Sequence, residues 1–320
     1  LRALIHNLGK GFNDAIQAAL PDGWRAQAAA SHWALGDADA VFAVHDARDP
    51  TGYRAAPPPP GWPGRTAFVQ LASTGLQAYP EWLFDIPQVA SARGTSAPPI
   101  AEYVLTAMLA HEKRVPELWV QNAGTWAERR DDPRWQMGTL DGKTLGLVGI
   151  GAIGSRVAAL ARPFGMRVLA VRRSGRPVEG IEIVGFEELL TRADHIVIAA
   201  PLTAETSGLF DRAAFARVRP GLHLINVARG PIVDQDALVE ALERGTLAAA
   251  TLDVTDPEPL PSGHPLYAHP RVRISPHIAW KAEGFAPRLL GILVDNLRRI
   301  DAGEPPVNRV SLDDLRSENE

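Results

Sequence analysis

Apolar residues along this chain fall into short, nearly unbroken runs, and from residue 144 the runs become regularly spaced. Six follow one another: TLGLVGI (144–150), MRVLAVR (166–172), HIVIAAP (195–201), LHLINVA (222–228), AAATLDV (248–254) and VRISPH (272–277). Amphipathic segments of helical length, such as EELLTRA and QDALVEALERG, separate the first five. Buried strands alternating with helices predict a parallel sheet covered on both faces, and six strands make a full doubly wound sheet.

The first 95 residues are less regular. LRALIHNL (1–8), DAVFAV (39–44) and TAFVQLAS (66–73) read as buried strands with helical patterns between some of them, and APPPPGWPG (56–64) as a rigid loop. APPIAEYVLTAMLAHEKRV (97–115) reads as a helix whose prolines sit in or before its first turn, where their missing N–H groups do no harm. Its apolar residues occupy nearly every face, which predicts an element covered on several sides, at a boundary between domains or subunits. In APRLLGILVDNLRRIDAGEP (286–305), Leu289, Leu293, Leu297 and Ile300 fall on one helical face.

Composition narrows the class. A chain of 320 residues predicts two domains, and 46% hydrophobic with 22% charged residues is ordinary for a globular protein. A net charge of −4 offers no basic field for nucleic acid, and the absence of cysteine excludes disulfides, thiolate nucleophiles and cysteine-ligated zinc. No metal site is expected. No apolar run reaches the length of a membrane span, and LRALIHNLGKGF turns polar too early for a secretory signal. The expected compartment is cytoplasmic.

GIGAIG (149–154) follows the first regular strand directly and opens into a helical pattern. In that setting Gly149 permits the tight turn, Gly151 lets backbone approach a pyrophosphate and Gly154 lets helix pack on strand. The helix N-terminus meets the phosphates with free N–H groups. About twenty residues on, where a dinucleotide fold usually places an acid against a ribose hydroxyl, the chain has Arg172, Arg173 and Ser174. Two guanidiniums and a hydroxyl suit a 2′-phosphate, so the predicted cofactor is NADP(H). The alternative is a pair of solvated strand-end charges. Arg229, Asp253, Glu258 and His277 follow successive strand ends, the edge where open α/β sheets bind ligands.

Taken in order, GLVGIGAIG, NVARGPIVD, LDVTDPEP and SPHIA resemble the D-isomer-specific 2-hydroxyacid dehydrogenases, and VLAVRRSG with AEYVLTAMLA resembles their glyoxylate/hydroxypyruvate reductase branch. The resemblance implies a two-domain α/β protein. A Rossmann-type nucleotide-binding domain (97–285) would be inserted into a flavodoxin-like substrate domain built from 1–96 and 286–320. It implies NADPH-dependent reduction of a small 2-keto acid to the D-2-hydroxy acid by a homodimer, with AEYVLTAMLAHEKRV in or near the contact.

The roles it implies are specific. His277 would be the general acid and Glu258 its partner, while Arg229 would bind the substrate carboxylate. Ser73, Thr74 and Gly75 of ASTG would form the carboxylate loop, and Asp253 would orient the nicotinamide amide. Ala152 and Ile153 would lie under the pyrophosphate; Ala200, Pro201, Thr206 and Val227 would flank the cofactor. Trp280 would line the substrate pocket or pack at a hinge or dimer contact.

Glu258 argues against formate oxidation, where that branch carries Gln, and ASTG lacks the lysine of phosphite oxidation. Gln77 and Thr255 depart from the family pattern without touching the acid–base apparatus. The rival readings are a reductase of bulkier acids such as phenylpyruvate and a non-enzymatic nicotinamide-nucleotide sensor.

Overall fold

The computed structural model describes residues 1–45, 54–115, 117–174 and 176–317; Gly175 of the arginine run and 318–320 of the predicted C-terminal segment lie outside them. The chain divides into two units, Leu1–Thr95 with Glu283–Glu320, and Ser96–Ala282. Among the described residues, no helix is long and apolar enough to cross a membrane, and no group of His, Asp and Glu side chains is placed to hold a metal ion.

In the first unit, β1 (Arg2–His6), β2 (Trp24–Ala28), β3 (Ala40–Ala43), β4 (Phe68–Leu71) and β5 (Val89–Ala90) are parallel and stand in the order β2-β1-β3-β4-β5. This is the flavodoxin-like order. Alternation along the strands sends Leu4, Ala40, Phe42 and Phe68 to one face and Ile5, Val41, Ala43 and Val69 to the other. The helix Phe285–Asp301 covers the first face, burying Leu293 and Leu297 completely beside Ile16 of α1 (Asn13–Ala19). Strand β2 was not legible as an apolar run. It is an edge strand whose Arg25 and Gln27 face solvent between buried Trp24 and Ala26.

In the second unit all six predicted runs are strands, but the sheet has seven. β6 (Thr144–Val148), β7 (Arg167–Val171), β8 (Glu182–Ile183), β9 (His195–Ile198), β10 (Leu222–Asn226), β11 (Leu247–Leu252) and β12 (Val272–Ile274) are all parallel, in the order β12-β11-β10-β9-β6-β7-β8. The extra edge strand, β8, is two residues long and carries too little apolar pattern to announce itself. The strand order reverses between β6 and β9, the switch point at which doubly wound sheets take their ligand.

Helix α2 (Ala97–Lys113) has Pro98 and Pro99 in its first turn, as predicted, but buries one stripe rather than its whole circumference. Ile100, Ala101, Val104 and Met108 enter the core with Leu145, Leu147 and Val157, while Leu105 and Leu109 are only half-covered. Beyond it, α3 (Ala123–Asp131) and its flanks expose Trp119, Trp126 and Met137 by 64%, 51% and 52%.

The last turn of α2 and the N-terminal ends of β9 and β10 enclose three histidines. His195 Nδ1 lies 3.3 Å from His223 Nδ1, His223 Nε2 lies 2.9 Å from Thr251 Oγ1, and His195 Nε2 lies 3.0 Å from Glu112 Oε1. His111 stacks on His223 at 4.5 Å, and Lys143 bonds Glu112 beside them. Two facing Nδ1 atoms are satisfied by one proton between them, so only one of the two rings carries its hydrogen at that contact. Burial, then the neighbouring His195, lowers His111 to about 4; burial, then His111 and His195, holds His223 well below its ordinary value.

Well above pH 6.5, His111 and His223 are neutral in folded and unfolded chains alike. Below it the unfolded chain takes up protons that the folded one refuses, so stability falls as pH drops from 6.5 toward 4. For His111, which is partly exposed, this loss is about 2 kcal/mol. Urea unfolding at pH 7 and pH 5 should show it, and His111→Phe should flatten the dependence. An unchanged slope would remove His111 from the effect.

Candidate active site

At the carboxyl end of β6 the three motif glycines have three different surroundings. Gly149 has φ 94°, a left-handed backbone, and a Cβ there would stand 2.8 Å from the Ala200 backbone. A Cβ on Gly154 would stand 2.3 Å from the Gly149 carbonyl, so this glycine sets the helix-to-strand distance. Around Gly151 there is open space instead. Gly151 caps α4 (Ala152–Ala161) without a side-chain bond, and the N–H groups of Ala152, Ile153 and Gly154 have no acceptor among the described residues. Free donors at the positive end of a helix, facing open space, fit a pyrophosphate.

Around that edge, buried Val227 follows β10, and Ala200 and Pro201 follow β9. The Thr206 hydroxyl is used within its own loop, accepting from Thr203 N–H and donating to the Pro201 carbonyl, each at 2.8 Å. After β7, Arg172 is half-buried and donates to the Arg176 carbonyl at 3.2 Å, whereas Arg173 and Ser174 are exposed. Arg173 lies near Glu205, whose carboxyl is held below its ordinary value by the Thr203 hydroxyl first and by this arginine in addition.

Three loops of the same unit carry the titratable groups. The side chain of Asn226 accepts from Ala228 N–H at 3.0 Å and donates to the Arg229 carbonyl at 2.9 Å, fixing the turn after β10. A Cβ on Gly230 would stand 2.0 Å from the Thr255 carbonyl, so this turn packs directly on the loop of Glu258. Glu258 Oε2 lies 2.9 Å from His277 Nδ1, and Glu258 Oε1 accepts from Thr255 N–H at 3.1 Å. Burial opposes ionisation of Glu258; the His277 hydrogen bond and charge, the Thr255 N–H and the charge of Arg229 outweigh it and hold the carboxyl below its ordinary value. Both side chains remain accessible, 43% for His277 and 40% for Glu258. Their pairing leaves His277 Nε2 as the ring nitrogen available to a ligand.

His277 has φ 53°, a left-handed conformation that a residue with a Cβ seldom takes. Its N–H donates to the Asp253 carbonyl at 2.8 Å. The Asp253 side chain, 3% exposed, accepts from Ser275 Oγ at 2.6 Å, Ile278 N–H at 3.0 Å and Ala279 N–H at 3.1 Å. Asp253 therefore clamps the His277 loop, a use that the sequence reading did not anticipate beside nicotinamide orientation. Trp280 folds back so that its indole N–H donates to the His277 carbonyl at 3.0 Å. One sequence expectation is corrected: Thr255 does touch the predicted acid–base pair, through its N–H to Glu258.

In the first unit, the predicted carboxylate loop follows β4. Ser73 Oγ lies 2.7 Å from the Gly75 carbonyl and 3.1 Å from the Tyr79 hydroxyl, so it shapes the loop. The N–H groups of Thr74 and Gly75 have no acceptor among the described residues. Tyr79, fully buried, accepts from Ala72 N–H at 3.2 Å and donates to the Ala43 carbonyl at 3.3 Å, with its phenol pushed up to about 12 mainly by burial. Nothing in its sequence context marked it.

The doubly wound sheet and the glycine turn define a dinucleotide-binding class of protein. Residues 105–279 match the D-isomer specific 2-hydroxyacid dehydrogenase, NAD binding domain. A Corynebacterium melassecola protein, described as uncharacterized in the proB 3′ region, is 34% identical over 81% of this chain and 86% of its own length. Glyoxylate/hydroxypyruvate reductase A of Serratia proteamaculans is 37% identical, and the match spans 66% of each chain. A D-isomer specific 2-hydroxyacid dehydrogenase from Xanthobacter autotrophicus, solved with NADPH and MES, is 28% identical with a TM-score of 0.76 over 98% of each chain. The chain belongs to the D-isomer specific 2-hydroxyacid dehydrogenase family.

Proposed function

We propose that the protein reduces a small 2-keto acid, of the glyoxylate or hydroxypyruvate type, to the D-2-hydroxy acid with NADPH. The observation that carries this reading is the His277–Glu258 pair at 2.9 Å, accessible and within the field of Arg229. When bound, the nicotinamide supplies the hydride. Protonated His277 donates the Nε2 proton to the carbonyl oxygen, while Nδ1–H stays bonded to Glu258 and keeps the ring in one orientation. The carboxylate of Glu258 stabilises the imidazolium before transfer. Arg229 binds the substrate carboxylate, and its charge favours electron density gathering on oxygen.

NADPH is the proposed cofactor because Arg172, Arg173 and Ser174 stand where an acid would repel a 2′-phosphate. The NADPH bound in the Xanthobacter structure supports the same choice. The name of the Serratia relative supports the substrate class. A homodimer would cover the half-exposed Leu105 and Leu109 and the exposed Trp119, Trp126 and Met137.

The test is the initial loss of reduced-nicotinamide absorbance, NADPH against NADH, with glyoxylate, hydroxypyruvate and phenylpyruvate. Turnover fastest with NADPH and a small acid is the expected result. Preference for phenylpyruvate would move the substrate to the bulky class. Tight NADPH binding without turnover of any acid would defeat the reductase reading in favour of a nucleotide sensor.

A further inference from the structure

We propose that Tyr103 is a positioning residue for His277, acting through Ser275 and Asp253; this rests on the reading of His277 as proton donor. Tyr103 stands on α2, beside Val104 of the buried stripe and half-covered itself. Its phenol oxygen lies 2.7 Å from Ser275 Oγ. A serine hydroxyl has a single hydrogen, and Ser275 gives it to Asp253 Oδ1 at 2.6 Å. The hydrogen between Tyr103 and Ser275 therefore comes from Tyr103. The bonds run in one direction, from the Tyr103 hydroxyl to Ser275, from Ser275 to the Asp253 carboxylate.

Asp253 then holds the loop on either side of the acid: its carbonyl takes the His277 N–H, and its carboxylate takes the Ile278 and Ala279 N–H groups. The left-handed backbone of His277 is strained, and such a conformation persists only where its surroundings over-determine it. This set of bonds is what over-determines it, and α2 is the packed body from which the set is anchored. Ala279 completes the anchorage by packing with Val104 and Met108 in the same core. Without the phenol donor, Ser275 can turn away from Asp253 and the loop loses one fixed reference. The His277 ring would then wander relative to the reacting carbonyl, and small misplacements of this kind have large effects on rate. Burial, reinforced by the charge of Asp253, raises the Tyr103 phenol against the opposing pull of Ser275, so the donor keeps its hydrogen through the neutral range.

Tyr103→Phe keeps the ring and removes only the oxygen. With wild-type NADPH affinity measured by fluorescence, it should lower kcat by roughly tenfold or more and shift the pH profile set by the His277–Glu258 pair. Ser275→Ala should do the same. The double variant should be no worse than either single one, because both break one line of bonds. Full kcat and an unmoved pH profile in Tyr103→Phe would overturn the proposal, as would additive losses in the double variant. His277→Ala, assayed in parallel, separates the two readings. Loss of turnover there with an intact Tyr103→Phe enzyme defeats the positioning role alone, whereas retained turnover in His277→Ala defeats the proton-donor reading and this proposal with it.

Discussion

His277→Ala should lower kcat with a 2-keto acid by about 10²- to 10⁴-fold while leaving NADPH affinity nearly unchanged. The expectation follows from the geometry of one ring. His277 Nδ1 is committed to Glu258 at 2.9 Å, and Nε2 is the nitrogen left to face a substrate. The proposed nucleotide cradle, in contrast, comprises Gly149, Gly151 and the first N–H groups of α4, none of which bonds the imidazole. A loss in kcat without a loss in binding separates proton delivery from general disruption of the sheet edge. Wild-type turnover would remove His277 from the acid role.

Exchanging Arg172 and Arg173 together for alanine should raise the KM for NADPH by about a hundredfold and leave NADH use nearly alone. Each charge-assisted bond to a phosphate is worth about 1.5–3 kcal/mol, and two of them exceed the 2.7 kcal/mol that a hundredfold requires. The two arginines are unequal. Arg172 is half-buried and already steadied by the Arg176 carbonyl, so its guanidinium is the better ordered. Arg173 is exposed and shares its field with Glu205, which weakens its claim on a phosphate. The single Arg172 variant should therefore carry most of the loss. Equal losses with NADPH and NADH would show that neither arginine reads the 2′-phosphate.

Pattern along the chain revealed the long buried strands because a strand covered on both faces must be apolar almost throughout. It hid β2, β5 and β8 for the converse reason: two are only two residues long, and β2 alternates at a sheet edge. The loops bearing Arg229, Glu258 and His277 were legible because each follows a strand end within a compact motif. What bonds those loops together was not legible. The clamp made by Asp253, the Thr255 N–H to Glu258 and the shaping of the Ser73 loop by Tyr79 depend on distances between segments far apart in sequence. Likewise Tyr103 looked like one more large residue on a helix apolar all round, since a hydroxyl partner 172 positions away leaves no local trace.

The discontinuity of the first unit bears on how the protein is made. Residues 96–282 are contiguous, so their sheet has all its strands as soon as that stretch has left the ribosome. The first 95 residues emerge earlier but lack the helix Phe285–Asp301, whose Leu293 and Leu297 are wholly buried against Leu4, Phe42 and Phe68. They also lack Arg309–Val310, the strand that closes their sheet beside β5. The earlier part of this unit is thus completed by a segment made only after the whole of residues 96–282, and until then one face of its sheet lies open to chaperones or to other nascent chains.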